Sequence, residues 1–364
     1  MNKTIAVISP YHGESHSQWY NNFQRLDNDI QLYSLEPRFW KWRMQAAAIT
    51  LAQKVNFNEN KIRLFVCNDM LNLALFKALL KPSLQNIPIL LYMHENQLTY
   101  PWSPLDLEKA KDRDQSYCFI NYTSTLLASK VLFNSKFHFK EYFNRLPIFL
   151  KQFPDHSLTT TVVDIKQKSS VLYPIVSSSI SKNPDNKIPV ILWNHRWEHD
   201  KQPKVFYELL FYLRKNNIDF RLILLGKNKE NQYYRKITQQ FNSQIIHHGF
   251  VENKESYFQL LNKADVLPVS SIHDFFGYSI LEASMLEVIP ILPNRLSYPE
   301  LFSKVTFRPL FYETQLEFFE LTASILSDIT SRETLLLKQA LRSNSQRFST
   351  VSLNEHYQKL LNCN

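Results

Sequence analysis

Residues 189–201 read PVILWNHRWEHDK. Pro189 to Trp193 are apolar and uncharged, which predicts a short strand buried on both faces. Asn194, His195, Arg196, Trp197, Glu198, His199, Asp200 and Lys201 follow as a largely charged octet. Gln202-Pro203 comes next, and Pro203 suits the first turn of a helix running to about Asn216. The octet is therefore expected on a loop that leaves a buried strand and enters a helix. In an open parallel α/β sheet, ligands bind at that edge. Arg196 offers a planar fork and Lys201 a mobile point charge, and both can reach one anionic group, such as a diphosphate.

The same alternation runs outward in both directions. Before the octet, Thr4–Ser9, Ile30–Ser34, Arg63–Cys67, Ile87–Met93 and Lys130–Phe133 read as strands, separated by stretches with helical apolar spacing. After it, Phe220–Leu225, Ile245–Ile246, Val266–Val269 and Val288–Leu292 read as strands, again with helices between them. Repeated strand–loop–helix units imply parallel doubly wound sheets. Val171 to Pro189 is rich in Ser, Pro and Asn and marks a boundary. The expected organisation is a first Rossmann-like domain at 1–178, a linker at 179–188, a second Rossmann-like domain at 189–340 and a helical tail at 341–364, interrupted at Phe348-Ser349. A central cleft is expected between the two domains.

With 364 residues, the chain is long enough for two domains. No apolar run is long enough to cross a bilayer. The three cysteines, Cys67, Cys118 and Cys363, form no spaced cluster. That argues against a disulfide framework or zinc site and for the cytoplasm. The net charge of +9 suits an anionic partner, such as RNA or a phosphate-bearing substrate, and equally a merely basic, solvated surface. Only 4 glycines are present, where average usage of ~7% would give roughly 25. The four, Gly13, Gly226, Gly249 and Gly277, each fall just past an apolar run, where a backbone requirement would preserve them.

Four constellations carry candidate chemistry. His195 to His199 matches H-x-x-E-H, a zinc-peptidase signature, but that chemistry needs both histidines on one helix face. Pro203 leaves little room for such a helix. In Ser270 to Ala283, SSIHDFFGYSILEA, a helix start at Phe276-Gly277 offers N–H groups to an anion. Asp274 and Glu282 there can accept from sugar hydroxyls. The plain alternatives are Asp274 as a helix cap and Glu282 as a surface residue. His94 ends a predicted strand and is followed by Glu95-Asn96-Gln97, as a base or polar clamp would be. Arg38, Phe39, Trp40, Lys41, Trp42 and Arg43 alternate basic and aromatic residues, which suits unpaired RNA bases and phosphates. The plain alternative, slightly favoured, puts Phe39 and Trp42 in the core at the start of an amphipathic helix.

Taken together these residues resemble GT4-type glycosyltransferases of the GT-B fold. That family carries two acidic residues eight apart, and Asp274 and Glu282 match them, with Asp where Glu is usual. Its diphosphate-holding Arg and Lys match Arg196 and Lys201, although the glycine usual beside each is absent. Its glycine loop after the first strand matches Gly13, its cleft histidine matches His94, and its last helix, which crosses back to the first domain, matches the interrupted tail. The segments YHGESHSQW, FWKWR, YMHENQLTYP, NHRWEHDK, HDFFGYSILEA and SYPELF are similar, more narrowly, to tRNA-queuosine mannosyltransferases.

The resemblance implies a retaining, metal-independent transferase with GDP-mannose as donor and queuosine in a tRNA anticodon loop as acceptor. In it, Arg196, Lys201, Phe276 and Gly277 would hold the diphosphate, and Glu282 the ribose. Asp274 and His94 would orient the sugar. Arg38, Trp40, Lys41 and Arg43 would contact the tRNA. Another acceptor (glycan or lipid), a zinc peptidase and a non-catalytic RNA-binding protein are the alternative readings.

Overall fold

The uncharged run at Val190–Trp193 does form a strand with every residue buried. It belongs to one of two six-stranded sheets, both wholly parallel. The computed structural model describes residues 4–27, 29–57, 61–101, 114–177, 186–227, 230–302 and 308–361. The linker expected at 179–188 falls largely outside them. By contacts the chain divides into a unit of residues 1–175 with 353–364, and a second unit of residues 176–352.

The first unit holds β1 (Thr4–Ser9), β2 (Ile30–Ser34), β3 (Ile62–Asn68), β4 (Ile89–Met93), β5 (Lys130–Phe133) and β6 (Ser169–Val171), in the order β2-β1-β3-β4-β5-β6. Side chains alternate between two apolar layers, as pleating requires. Ala6, Ile8, Phe65, Cys67, Leu91 and Phe133 enter one, and Ile5, Val7, Leu64, Val66, Tyr92 and Leu132 the other. Helix Thr350–Leu361 completes the second layer through Leu353, Tyr357 and Leu361. Its Tyr357 hydroxyl donates to the Tyr173 carbonyl at 2.9 Å, and Arg63 donates to the Leu361 carbonyl.

In the second unit stand β7 (Val190–Trp193), β8 (Arg221–Leu224), β9 (Ile245–His248), β10 (Val266–Pro268), β11 (Ile289–Pro293) and β12 (Phe311–Tyr312), ordered β12-β11-β10-β7-β8-β9. The chain winds outward from β7 to β9, then returns to the other side of β7 with β10. Strand order therefore reverses between β7 and β10, and the loops leaving their carboxyl ends border a ligand crevice. The opposite edge is locked by a buried ion pair. Lys338, on helix Arg332–Ser345, lies 3.3 Å from Asp265, both side chains at most 2% exposed. The second carboxylate oxygen of Asp265 accepts the Val190 N–H at 3.0 Å, which fixes the start of β7.

Several sequence expectations need correction. Phe39 and Trp42 are not in the core: they are 76% and 63% exposed. Helix Trp40–Phe57 instead buries Met44, Ala47, Ala48 and Leu51, the helical phase set by Trp40. Helix Lys136–Leu150 runs through Pro147, because Phe149 and Leu150 bury beside Leu146. Strands β6 and β12, and the helices Thr161–Gln167 and Gln315–Ser327, have no counterpart in the sequence reading.

Candidate active site

Trp197 fixes the octet. Fully buried, it stacks on Trp193 with ring centroids 4.7 Å apart. Its indole N–H donates to the Leu225 carbonyl at 3.1 Å, and its carbonyl accepts from Asn231 at 2.8 Å. The loop is thus held by apolar stacking and by the turn after β8. Gly226 in that turn has φ +98°, and a Cβ there would lie 2.1 Å from the His195 carbonyl oxygen. Gly226→Ala is therefore expected to displace the octet backbone. Stability should fall by roughly 2–4 kcal/mol, as for forced backbone shifts and strain. A thermal melt checks it, and a wild-type melting temperature would refute the close approach as a constraint.

Only His199–Lys201 is helical in the octet, as a single 3-10 turn. His195 is buried and His199 exposed, so no helix face presents both, and the zinc-peptidase reading loses its geometry. Among the described residues no group of three metal-ligating side chains converges.

The loop after β10 is stitched onto the octet. Ser270 Oγ donates to the Lys201 carbonyl at 2.8 Å, the Ile272 N–H to the Asp200 carbonyl at 2.8 Å, and Lys201 Nζ to the His273 carbonyl at 2.8 Å. These three bonds hold the cation-bearing loop against the backbone of the other. The charges then form a chain. Arg196 pairs with Glu198 at 3.1 Å and lies 3.9 Å from Asp200. Lys201 lies 3.3 Å from Asp200 and 3.6 Å from Asp274, with its side chain only 11% exposed. Arg196 and Lys201 therefore share Asp200 between them.

Asp274 caps the turn into helix Tyr278–Met285. One of its oxygens accepts from the N–H groups of Phe276 and Gly277 at 3.3 and 2.8 Å, and the other from the Tyr298 hydroxyl at 3.3 Å. Burial works to raise its pKa, but Lys201, His195, His273 and the Phe276 N–H outweigh it, so the carboxyl is held below its usual range. Gly277 takes φ +86°, the left-handed conformation that starts the helix.

Glu282 is buried, contrary to the surface alternative. Its carboxylate meets Lys254 Nζ at 2.5 Å and the Tyr257 hydroxyl at 3.2 Å. Lys254 and Tyr257 were missed by sequence reasoning, and nothing in their local pattern marks them. Asn194 ties the octet to the same helix through the Ser279 carbonyl at 3.0 Å. His195 sits beside Ser279 and is held neutral, its pKa lowered to about 3 by burial and then by Lys201.

The remaining candidates lie in the first unit. Gly13 precedes helix Glu14–Phe23 in an extended conformation, and a Cβ there would come 3.2 Å from the Tyr11 ring. His94 follows β4, with its ring centroid 4.3 Å from that of His16 and 5.4 Å from that of Trp19. Its backbone N–H donates to Asp69 at 2.8 Å, and its carbonyl accepts from Asn134 at 2.8 Å. Burial, then His16, His138 and His12, push its pKa well below the usual value. Trp40 packs inward on Tyr117 at 5.1 Å. Arg38 pairs with Glu36 at 3.1 Å, Arg43 donates to the Glu36 carbonyl at 3.3 Å, and Lys41 lies over the Trp40 ring.

Residues 4–176 match the family model of the tRNA-queuosine alpha-mannosyltransferase N-terminal domain, and residues 177–315 that of glycosyl transferases group 1. A tRNA-queuosine alpha-mannosyltransferase of Drosophila melanogaster is 31% identical over 316 residues, 82% of each chain. Among solved structures, sucrose-phosphate synthase from Thermosynechococcus elongatus aligns with TM-score 0.73 at 13% identity, covering 99% of this chain and 98% of its own. Anabaena HepE, in complex with UDP and glucose, aligns with TM-score 0.66 at 14% identity, covering 99% of each chain. Those structures show the GT-B fold, and the sequence match places this glycosyltransferase in the tRNA-queuosine alpha-mannosyltransferase family.

Proposed function

We propose that the protein moves a mannosyl group from GDP-mannose to queuosine in a tRNA anticodon loop, with retention of configuration, in the cytoplasm. The observation that carries the donor half is Lys201, nearly buried between Asp200 and Asp274 at the mouth of helix Tyr278–Met285. Two cations and a helix start make a site for a diphosphate. The acceptor half rests on the family to which the chain belongs.

In the reaction the bond from the sugar C1 to the β-phosphate oxygen breaks, and its electron pair leaves with GDP. A hydroxyl oxygen of queuosine bonds to C1, and its proton passes to the departing diphosphate or, where His94 acts as base, to that imidazole. Charge grows on the departing diphosphate, so Arg196 and Lys201 supply the main stabilisation, while the Phe276 and Gly277 N–H groups expected to help are engaged by Asp274. Glu282, oriented by Lys254 and Tyr257, accepts from the ribose hydroxyls. Asp274 shapes the sugar subsite, and His94, kept neutral, serves as base or polar clamp. Because the positive charge comes from side chains, the reading requires no metal. No described helix is long and apolar enough to cross a membrane.

Incubation with GDP-mannose and queuosine-containing tRNA, followed by nucleoside mass analysis, tests this. One hexose should be added to queuosine, at the same rate with EDTA present. No added hexose from a protein that still binds GDP would reduce the reading to a glycosyltransferase of another acceptor, a glycan or a lipid.

A further inference from the structure

We infer that Phe39 and Trp42 form a stacking platform for unpaired bases of the acceptor RNA. The inference rests on the RNA acceptor of the proposed function and names where its loop is gripped.

The backbone at Phe39 carries the argument. Its φ is +52°, a left-handed conformation that a bulky L residue rarely adopts. It immediately precedes helix Trp40–Phe57, and its carbonyl accepts the Arg43 N–H at 3.0 Å. That left-handed position favours Gly, Asn or Asp, which tolerate a positive φ. Phe strains the backbone there and leaves its ring 76% exposed. Folding gains nothing evident from it.

Trp40 explains how the strained turn is held. It packs with Met44, Met70, Tyr117 and Ile120, which fixes the helix start and leaves Trp42 outward, 63% exposed. Two large exposed rings therefore sit within four residues, among Arg38, Lys41 and Arg43. The Arg38–Glu36 pair beside them is solvent-exposed, so a phosphate can take Glu36's place at little cost. Aromatic faces among cations recognise single-stranded nucleic acid, because any base can stack and any phosphate can pair.

The placement also suits an acceptor. Residues 35–39 leave the carboxyl end of β2, and Leu35 bonds Ser9 at 3.1 Å and His12 at 3.0 Å in the loop after β1. The platform thus belongs to the same sheet edge as the loops of Gly13 and His94.

Affinity for an anticodon stem–loop RNA and for a duplex of matched length, measured by fluorescence anisotropy, tests the platform. Phe39→Asn and Trp42→Ala should each weaken stem–loop binding at least about fivefold, the lower end for losing one stacked base, with duplex affinity unchanged. Phe39→Asn should also melt at or above the wild-type temperature, since Asn tolerates a positive φ and relieves the strain. Phe57→Ala, at an exposed ring on the far end of the same helix, should bind as wild type. Unchanged stem–loop affinity, an equal loss for duplex, or a Phe39→Asn protein that loses stability along with affinity would overturn the inference. Mannose transfer is scored separately. A loop-specific loss in a protein that transfers no mannose sinks the proposed reaction and leaves the platform standing.

Discussion

Arg196→Ala should lose at least about a hundredfold in kcat/KM while melting at the wild-type temperature. Its guanidinium is 44% exposed and paired with an equally exposed Glu198, so the pair contributes about 0–1 kcal/mol to folding. Its value toward a diphosphate is larger. Removing one preorganised donor from a developing anion costs about a hundredfold to a thousandfold. Arg196→Lys should recover part of the loss, since it keeps the charge and gives up the two-pronged hydrogen bonding. Lys201→Gln should lose more turnover and also stability. It leaves Asp200 and Asp274 facing each other without the cation 3.3 and 3.6 Å away, in a nearly buried setting. The contrast between the two positions is the informative result. Steady-state kinetics of a folded Arg196→Ala enzyme with unchanged turnover would remove the diphosphate role from Arg196.

The parts of this site legible in the sequence are those set by local pattern. An uncharged run followed by an octet and Pro203 reads as a buried strand, a loop and a helix start, and that places Arg196 and Lys201 together. Gly277 and Asp274 are legible for the same reason, because turn chemistry is local. What the pattern hides depends on approach between distant segments. Lys254 and Tyr257 reach Glu282 only because the first turn of helix Lys254–Asn262 folds up to a residue 25 and 28 positions further along the chain. Trp197, in the middle of a charged stretch, looks like a surface residue until the turn after β8 closes over it. Phe39 and Trp42 read as core because residues 39 and 42 have helical spacing as good as 40 and 44. The choice of phase is made by Trp40 docking on Tyr117, which no local pattern encodes. Strand β6 carries two serines in three residues and is recognisable only by its pairing with β5.

Acid should unfold the second unit first, beginning below about pH 6.5. His195 and His273 are buried there, with pKa values lowered to about 3 and about 4, by burial first and then by Lys201. Above pH 6.5 both histidines are neutral whether the chain is folded or not, so they add no pH dependence. As pH falls below 6.5, only the unfolded chain takes up their protons, and folding loses about 1.4 kcal/mol per pH unit for each histidine. Together they cost roughly 4 kcal/mol between pH 6 and 4.5, a large share of the 5–15 kcal/mol typical of a domain. Asp274, held below its usual pKa, extends the loss to lower pH. In the first unit, His16, lowered to about 4 by burial, and His94 act in the same direction. Asp69 opposes them there: burial, then Glu95, raise its pKa, so its folded form gains a proton before the unfolded chain does. The first unit should therefore soften less steeply. Thermal melts from pH 7.5 to 4.5 should show one transition moving down faster than the other, and His273→Gln should flatten the faster one. Saturating GDP, at about a hundred times its Kd, adds about 2.7 kcal/mol to whichever unit holds it, enough to shift that unit's acid transition down by roughly one pH unit. If GDP instead protected the less acid-sensitive transition, the donor site would not lie on the loops of Arg196, Lys201 and Asp274.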